Sequence, residues 1–132
     1  MGLYSFEKLE VWKEVLELIN SIYNVTNTFP LEEKFGLVSQ FRKSSVSIAS
    51  NLAEGTSRKT NKNKVPFTTI SFSFSMKLLN QLLISKELYF LNENDYVLLR
   101  NQIKKITNML NGLRNTQLNS QTTKQINLLH FG

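Results

Sequence analysis

The chain has 132 residues, 41% hydrophobic and 20% charged, with a net charge of +6, a length that suits one domain and is too short for two. It has no cysteine, which excludes a disulfide framework and a thiolate metal site. No apolar run reaches the roughly 20 residues that span a bilayer, and the opening MGLYSFEKLEVWKEV has acidic residues where a secretory signal needs a basic segment, so a cytoplasmic protein without a membrane partner is expected.

A first helix is expected from residue 5 or 9 to residue 28. Trp12, Val15, Leu16, Ile19, Ile22, Tyr23 and Thr26 recur at helical spacing and read as its core face. Val11, Leu18 and Val25, seven apart, form a second stripe that makes the apolar face wider than one bundle core needs. Pro30 then interrupts the chain. A second helix is expected over residues 31–56, with Glu32 and Glu33 in its first turn, where the helix dipole favours acids. Its stripe is Leu37, Phe41, Ser44, Ile48 and Leu52, and Gly55 reads as a left-handed C-terminal cap. Ser44, Ser45, Ser47, Ala49, Ser50 and Ala53 are small enough to let a neighbouring helix approach closely.

The polar, basic stretch TSRKTNKNKV over residues 56–65 reads as a loop, with Pro66 at the first position of a third helix. That helix is expected to run to residue 91. Phe67, Ile70, Phe74, Leu78, Leu82 and Ser85 form one stripe; Phe72, Met76, Leu79, Leu83 and Phe90 form another. FTTISFSF alternates like a strand, but a lone short strand has no partner elsewhere, so helix is preferred. Asn92 reads as an N-cap with Asp95 three residues on. The fourth helix is expected to end near residue 115, with Val97, Leu99, Ile103, Ile106, Leu110 and Leu113 inward. Gly112 inside it is attributed to close packing, since it costs about 1 kcal/mol relative to Ala. Residues 115–132 are rich in Asn, Gln, Ser and Thr and read as a polar, flexible tail. The expectation is an all-α, antiparallel up-down-up-down four-helix bundle over residues 1–114.

Charge is segregated along this framework. Residues 1–33 carry two lysines against six glutamates, residues 34–64 seven basic groups against Glu54, and residues 100–132 five basic groups and no acid. Such segregation points to a polyanionic partner. Candidate phosphate contacts are Arg42 and Lys43 on the second helix, Arg58, Lys59, Lys62 and Lys64 in or beside the loop, and Arg100, Lys104 and Lys105 on the fourth helix. The bland reading of each is solvated surface. No aromatic residue interleaves the loop, so base stacking is not expected there. Asn51 and Glu54, three apart beside Gly55, read as a structural motif tying the helix end to a neighbouring helix or subunit, with a small-molecule site there as the alternative.

Signatures of catalysis are missing. The single histidine, His130, lies in the tail and cannot supply the Glu-x-x-His pairs of di-iron bundles. There is no glycine-rich phosphate loop, nucleophile elbow or metal-ligand spacing. A non-enzyme without a cofactor is expected.

Several segments together resemble the 23S rRNA-intervening sequence protein family. They are Phe29-Pro30, Glu33, Phe35-Gly36-Leu37, Gln40, Arg42-Lys43, Ser47-Ile48 and Asn51-Leu52-Ala53-Glu54-Gly55. Supporting matches are Phe6, Leu9, Val11-Trp12, Leu88-Tyr89-Phe90-Leu91 and Met109-Leu110-Asn111-Gly112-Leu113, so the resemblance spans residues 5–114. It implies a four-helix bundle, related to the accessory variability determinants of retroelements, that assembles as a homopentamer; no reaction is established for the family. Relatives usually carry Ser and Glu where this chain has Phe74 and Lys77, which puts a basic group at an acidic surface position. Two functions follow as expectations: a homo-oligomer binding RNA or DNA through basic surface, or a protein-interaction scaffold without nucleic acid.

Overall fold

A computed structural model describes the backbone of residues 2–131 and the side chains of residues 2–120. After a 3-10 turn over Ser5–Lys8, four helices follow: α1 (Glu10–Thr26), α2 (Leu37–Thr56), α3 (Asn61–Glu87) and α4 (Glu93–Phe131), with a second 3-10 turn at Leu31–Glu33 between α1 and α2. The described residues contain no strand, and FTTISFSF is helical throughout. Each helix packs on the next and α4 packs back on α1, while among the described residues the backbones of α1 and α3, and of α2 and α4, do not approach closely. This closed ring of neighbours makes a four-helix bundle.

Its core is aliphatic, formed by Val15, Leu18 and Ile22 of α1, Phe41, Ile48 and Leu52 of α2, Leu78 and Leu82 of α3, and Leu99, Ile103, Ile106 and Leu110 of α4. On α1 the expected core stripe holds in part: Val15, Ile22 and Thr26 are buried. Val11, Leu18 and Val25 join Val15 and Ile22 inside, whereas Leu16 and Tyr23 are exposed and Trp12 and Ile19 only partly covered. Both stripes are apolar and about one residue apart on the helical wheel, so periodicity alone does not rank them. A similar correction applies to α3. Thr68, Ser71, Ser75, Gln81 and Ser85 are buried beside Leu78 and Leu82, while Ile70 is exposed and Phe74 only partly buried. Val97 of α4 is exposed as well, and Tyr96 takes the inward place.

Small hydroxyls make this burial possible between α2 and α3. Ser75 Oγ donates to the Ser71 carbonyl at 3.0 Å, Ser85 Oγ to the Gln81 carbonyl at 2.8 Å, and Ser45 Oγ to the Arg42 carbonyl at 2.8 Å. Ser71 Oγ crosses to the Ile48 carbonyl of α2 at 3.1 Å. A buried hydroxyl left unpaired would cost about 1–3 kcal/mol, so these serines are tolerated because the backbone accepts from each.

Helix boundaries correct several expectations. α2 begins at Leu37, after Gly36, so Glu32 and Glu33 lie in the preceding 3-10 turn; Glu33 Oε2 reaches forward to accept from the Leu37 N–H at 3.2 Å. Gly55 is not a left-handed cap, because no glycine has a positive φ among the described residues. It is buried inside α2, and a Cβ there would lie 2.7 Å from Phe67 Cβ. The left-handed position falls instead on Tyr89 (φ 61), where the Phe90 N–H reaches back to the Ser85 carbonyl at 3.0 Å and closes the end of α3. Gly112 has nothing within 4 Å of a Cβ placed there, so close packing does not explain it. α4 continues beyond residue 115 to Phe131, and Gln117 is buried with its Oε1 accepting from Thr68 Oγ1 at 2.9 Å. The side chains of the expected tail from residue 121 on, His130 included, lie outside the described residues.

Candidate nucleic-acid interface

Only residues 57–60 separate α2 from α3. Thr60 caps α3, its Oγ1 accepting from the Asn63 N–H at 3.2 Å. Consequently Lys62 and Lys64 sit in the first turn of a helix, not in a loop, and Pro66 stands inside α3, two positions beyond Lys64. Proline removes the bond to the carbonyl four residues back, here that of Lys62. Turn chemistry hid this arrangement: Thr60 followed by Asn61 and Asn63 is a legible N-cap, but the basic polar run and the proline both argue for a loop.

The structure sorts the nine candidate cations by what already holds them. Arg42 is committed to the fold. Its Nε donates to Thr26 Oγ1 at 3.0 Å and its Nη2 to Asn27 Oδ1 at 3.0 Å, with the guanidinium 4.5 Å from the Tyr23 ring centroid. This clasp satisfies the C-terminal end of α1 from α2. Arg58 pairs with Glu54 at 3.3 Å and covers the Phe67 ring at 4.8 Å. Arg100 donates to the Tyr96 hydroxyl at 2.7 Å, and Lys86 lies 4.0 Å from the same ring's centroid. Lys105 pairs with Glu14 of α1 at 2.8 Å, and the hydrogen bond to that carboxylate, followed by its charge, raises the Lys105 ammonium above its ordinary 10.5.

Lys43, Lys59, Lys62, Lys64 and Lys104 have no ion pair among the described residues. Lys59, Lys62 and Lys64 surround the start of α3, whose unpaired N–H groups add partial positive charge at the same place. Lys43 faces the groove between α2 and α3, and Lys104 the groove between α3 and α4. The nine cations therefore do not form one patch; the bundle end at residues 58–64 is the densest group.

The Asn51–Glu54 motif is local. Asn51 Nδ2 donates to the Ser47 carbonyl of its own helix at 2.8 Å, and Glu54 is exposed on the Arg58 pair. Of the three motif residues, Gly55 is the one that meets α3, through its approach to Phe67. Among the described residues no group of three or more His, Cys, Asp or Glu could hold a metal, and no helix is long and apolar enough to cross a membrane.

A four-helix bundle with a cationic end is the class these features define. The chain belongs to the 23S rRNA-intervening sequence protein family, whose sequence profile matches residues 7–112, in agreement with the resemblance read from the sequence. A crystal structure of a protein of unknown function from the S23 ribosomal protein family of Bacteroides thetaiotaomicron is similar at 19% identity, with a TM-score of 0.73 over 80% of this chain and 95% of that one. At that identity the likeness is one of fold. No curated protein matches the chain.

Proposed function

We propose that the protein is a cytoplasmic, non-enzymatic homo-oligomer of antiparallel up-down-up-down bundles that binds RNA or DNA through backbone phosphates at its α2–α3 end. The observation that carries this is the crowding of Arg58, Lys59, Lys62 and Lys64 around one capped helix start, with Glu54 as the one acid paired to any of them. Phosphates would relieve the mutual repulsion of these groups and meet the helix dipole at its positive end. Phe67 lies under Arg58 and is not free to stack on a base, so the contacts would position a strand without reading its sequence. The family's association with 23S rRNA intervening sequences motivates such a partner by resemblance.

Antiparallel order is supported by contacts whose residue numbers run in opposite directions: Glu14 with Lys105 and Ser21 with Gln102, Ile48 with Ser71 and Gly55 with Phe67. Assembly is supported by apolar surface on two opposite sides. Leu16, Tyr23 and Val46 are exposed along α1 and α2, and Met76, Leu83 and Val97 along α3 and α4. Two different faces on opposite sides favour head-to-tail contacts that close into a ring, and the pentamer implied by the family resemblance is the ring we favour.

Fluorescence anisotropy with labelled single-stranded RNA and duplex DNA tests the binding. Changing Lys59, Lys62 and Lys64 together to Ser is expected to weaken binding equally for all sequences while leaving the circular dichroism spectrum unchanged. Unaltered affinity in this variant would favour the scaffold function instead.

A further inference from the structure

Between α2 and α3 a cleft of about 470 Å³ opens in the half of the bundle away from the α2–α3 turn. Lys43 borders it from α2 and Lys77 from α3. Neither has an ion pair among the described residues, and Lys77 Nζ rests 5.2 Å from the Phe74 ring centroid. Ser44 and Ser47 line the α2 side, and no acidic side chain lines either wall. The cleft is thus lined by two ammonium groups and two serines, with no acid on its walls to neutralise the charge.

Gln81 lines the cleft from α3 and is 5% exposed, and Gln81 Oε1 has no hydrogen-bond partner. Buried acceptors are almost always paired, and an unpaired one in a family of small bundles calls for a reason. The end torsion of a glutamine is soft, so the amide can turn its oxygen toward a donor seated in the cleft. Two cations at the rim and one buried acceptor define complementary chemistry: a phosphate on a unit that also carries a hydroxyl. The volume falls within the range of small-molecule sites.

We propose that this cleft binds a phosphorylated sugar unit, the phosphate between Lys43 and Lys77 and a sugar hydroxyl donating to Gln81 Oε1. The unit could come from a free sugar phosphate or from an RNA strand, which carries the same ribose and phosphate. The site is separate from the cations at residues 58–64 and stands without them.

The test is amide chemical-shift titration of the isotope-labelled full chain. Ribose 5-phosphate is expected to move Lys43, Ser44, Ser47, Lys77 and Gln81, and to bind at least tenfold more tightly than methyl phosphate, which lacks the hydroxyl. Lys43→Ala with Lys77→Ala is expected to abolish both titrations. Gln81→Met should raise the melting temperature of the free protein, because it removes the unpaired acceptor, and should erase the preference for ribose 5-phosphate. The Lys59, Lys62 and Lys64 variant should titrate like wild type. Oligouridylate and oligodeoxyuridylate identify the source: tighter binding of the first alone assigns the site to RNA, and equal weakness of both assigns it to the free sugar phosphate. No shift at these residues with ribose 5-phosphate overturns the proposal, as does equal binding of methyl phosphate or a Gln81→Met variant that keeps the preference.

Discussion

Gly55 and Gly112 both sit inside helices, yet their replacement by alanine is expected to have opposite effects. At position 55 the new Cβ would lie 2.7 Å from Phe67 Cβ and 3.4 Å from Phe67 Cγ. The nearer atom is bonded directly to the α3 backbone and cannot swing aside, so α2 and α3 must separate. Overpacking of this kind costs about 1–3 kcal/mol, and the better helix propensity of alanine returns up to about 1 kcal/mol. Gly55→Ala should therefore destabilise the protein by about 1–2 kcal/mol, a loss of roughly 3–8 °C in melting temperature for a chain of this size. At position 112 there is nothing within 4 Å, so only the propensity acts and Gly112→Ala should stabilise by about 0.5–1 kcal/mol. Urea unfolding followed by far-ultraviolet circular dichroism measures both. A Gly55→Ala variant as stable as wild type would refute the close approach of α2 to α3.

Tyr89→Gly should stabilise the protein by about 1 kcal/mol, because Tyr89 is 92% exposed and holds φ 61, a conformation costly for any residue with a Cβ; a thermal melt checks it. Arg42→Lys should destabilise by about 1–3 kcal/mol, since an ammonium cannot reproduce the bonds to Thr26 and Asn27 together, and should leave nucleic-acid affinity unchanged. The Lys105–Glu14 pair raises the lysine in the folded state, so its contribution is complete below the ordinary 10.5 and is lost as pH rises through the higher folded value. Unfolding measured on both sides of that value should show a steeper alkaline loss in wild type than in Glu14→Gln, and equal slopes would contradict it. Sedimentation at micromolar concentration should give a species several times the 15.3 kDa chain, and a monomer would contradict the apolar-face argument.

Helix number was legible because each helix carries its own apolar period and Pro30 and Asn92 punctuate the breaks. Which side of α1 and α3 turns inward was legible in part: Val15, Ile22, Thr26, Leu78, Leu82 and Ser85 are buried as read, while Leu16, Tyr23 and Ile70 are exposed. On α3 the buried side is built from Thr68, Ser71 and Ser75, and a scale that ranks Phe and Ile above Ser points to the wrong face. Burial there depends on carbonyls that accept from each hydroxyl, which becomes visible only once the helices are placed. The left-handed cap was sought at a glycine, reasonably, but tertiary packing put it on Tyr89 and used Gly55 for contact. At the candidate interface the cations were legible and their engagement was not. Nothing in the sequence distinguishes Arg42, locked onto Thr26, Asn27 and Tyr23, from Lys43 beside it, which has no ion pair among the described residues.

Whether the α2–α3 end is a phosphate surface is decided by the slope of log affinity against log salt concentration. Each neutralised phosphate contributes about −0.9 for duplex DNA and about −0.7 for a single strand. If Lys59, Lys62 and Lys64 each meet one, removing all three should flatten the slope by about 2.7 and about 2.1 respectively for one engaged protomer, and by multiples of this in an oligomer. Wild-type binding with a slope near zero, or a triple variant whose slope equals that of wild type, would contradict the assignment of this end of the bundle to nucleic acid.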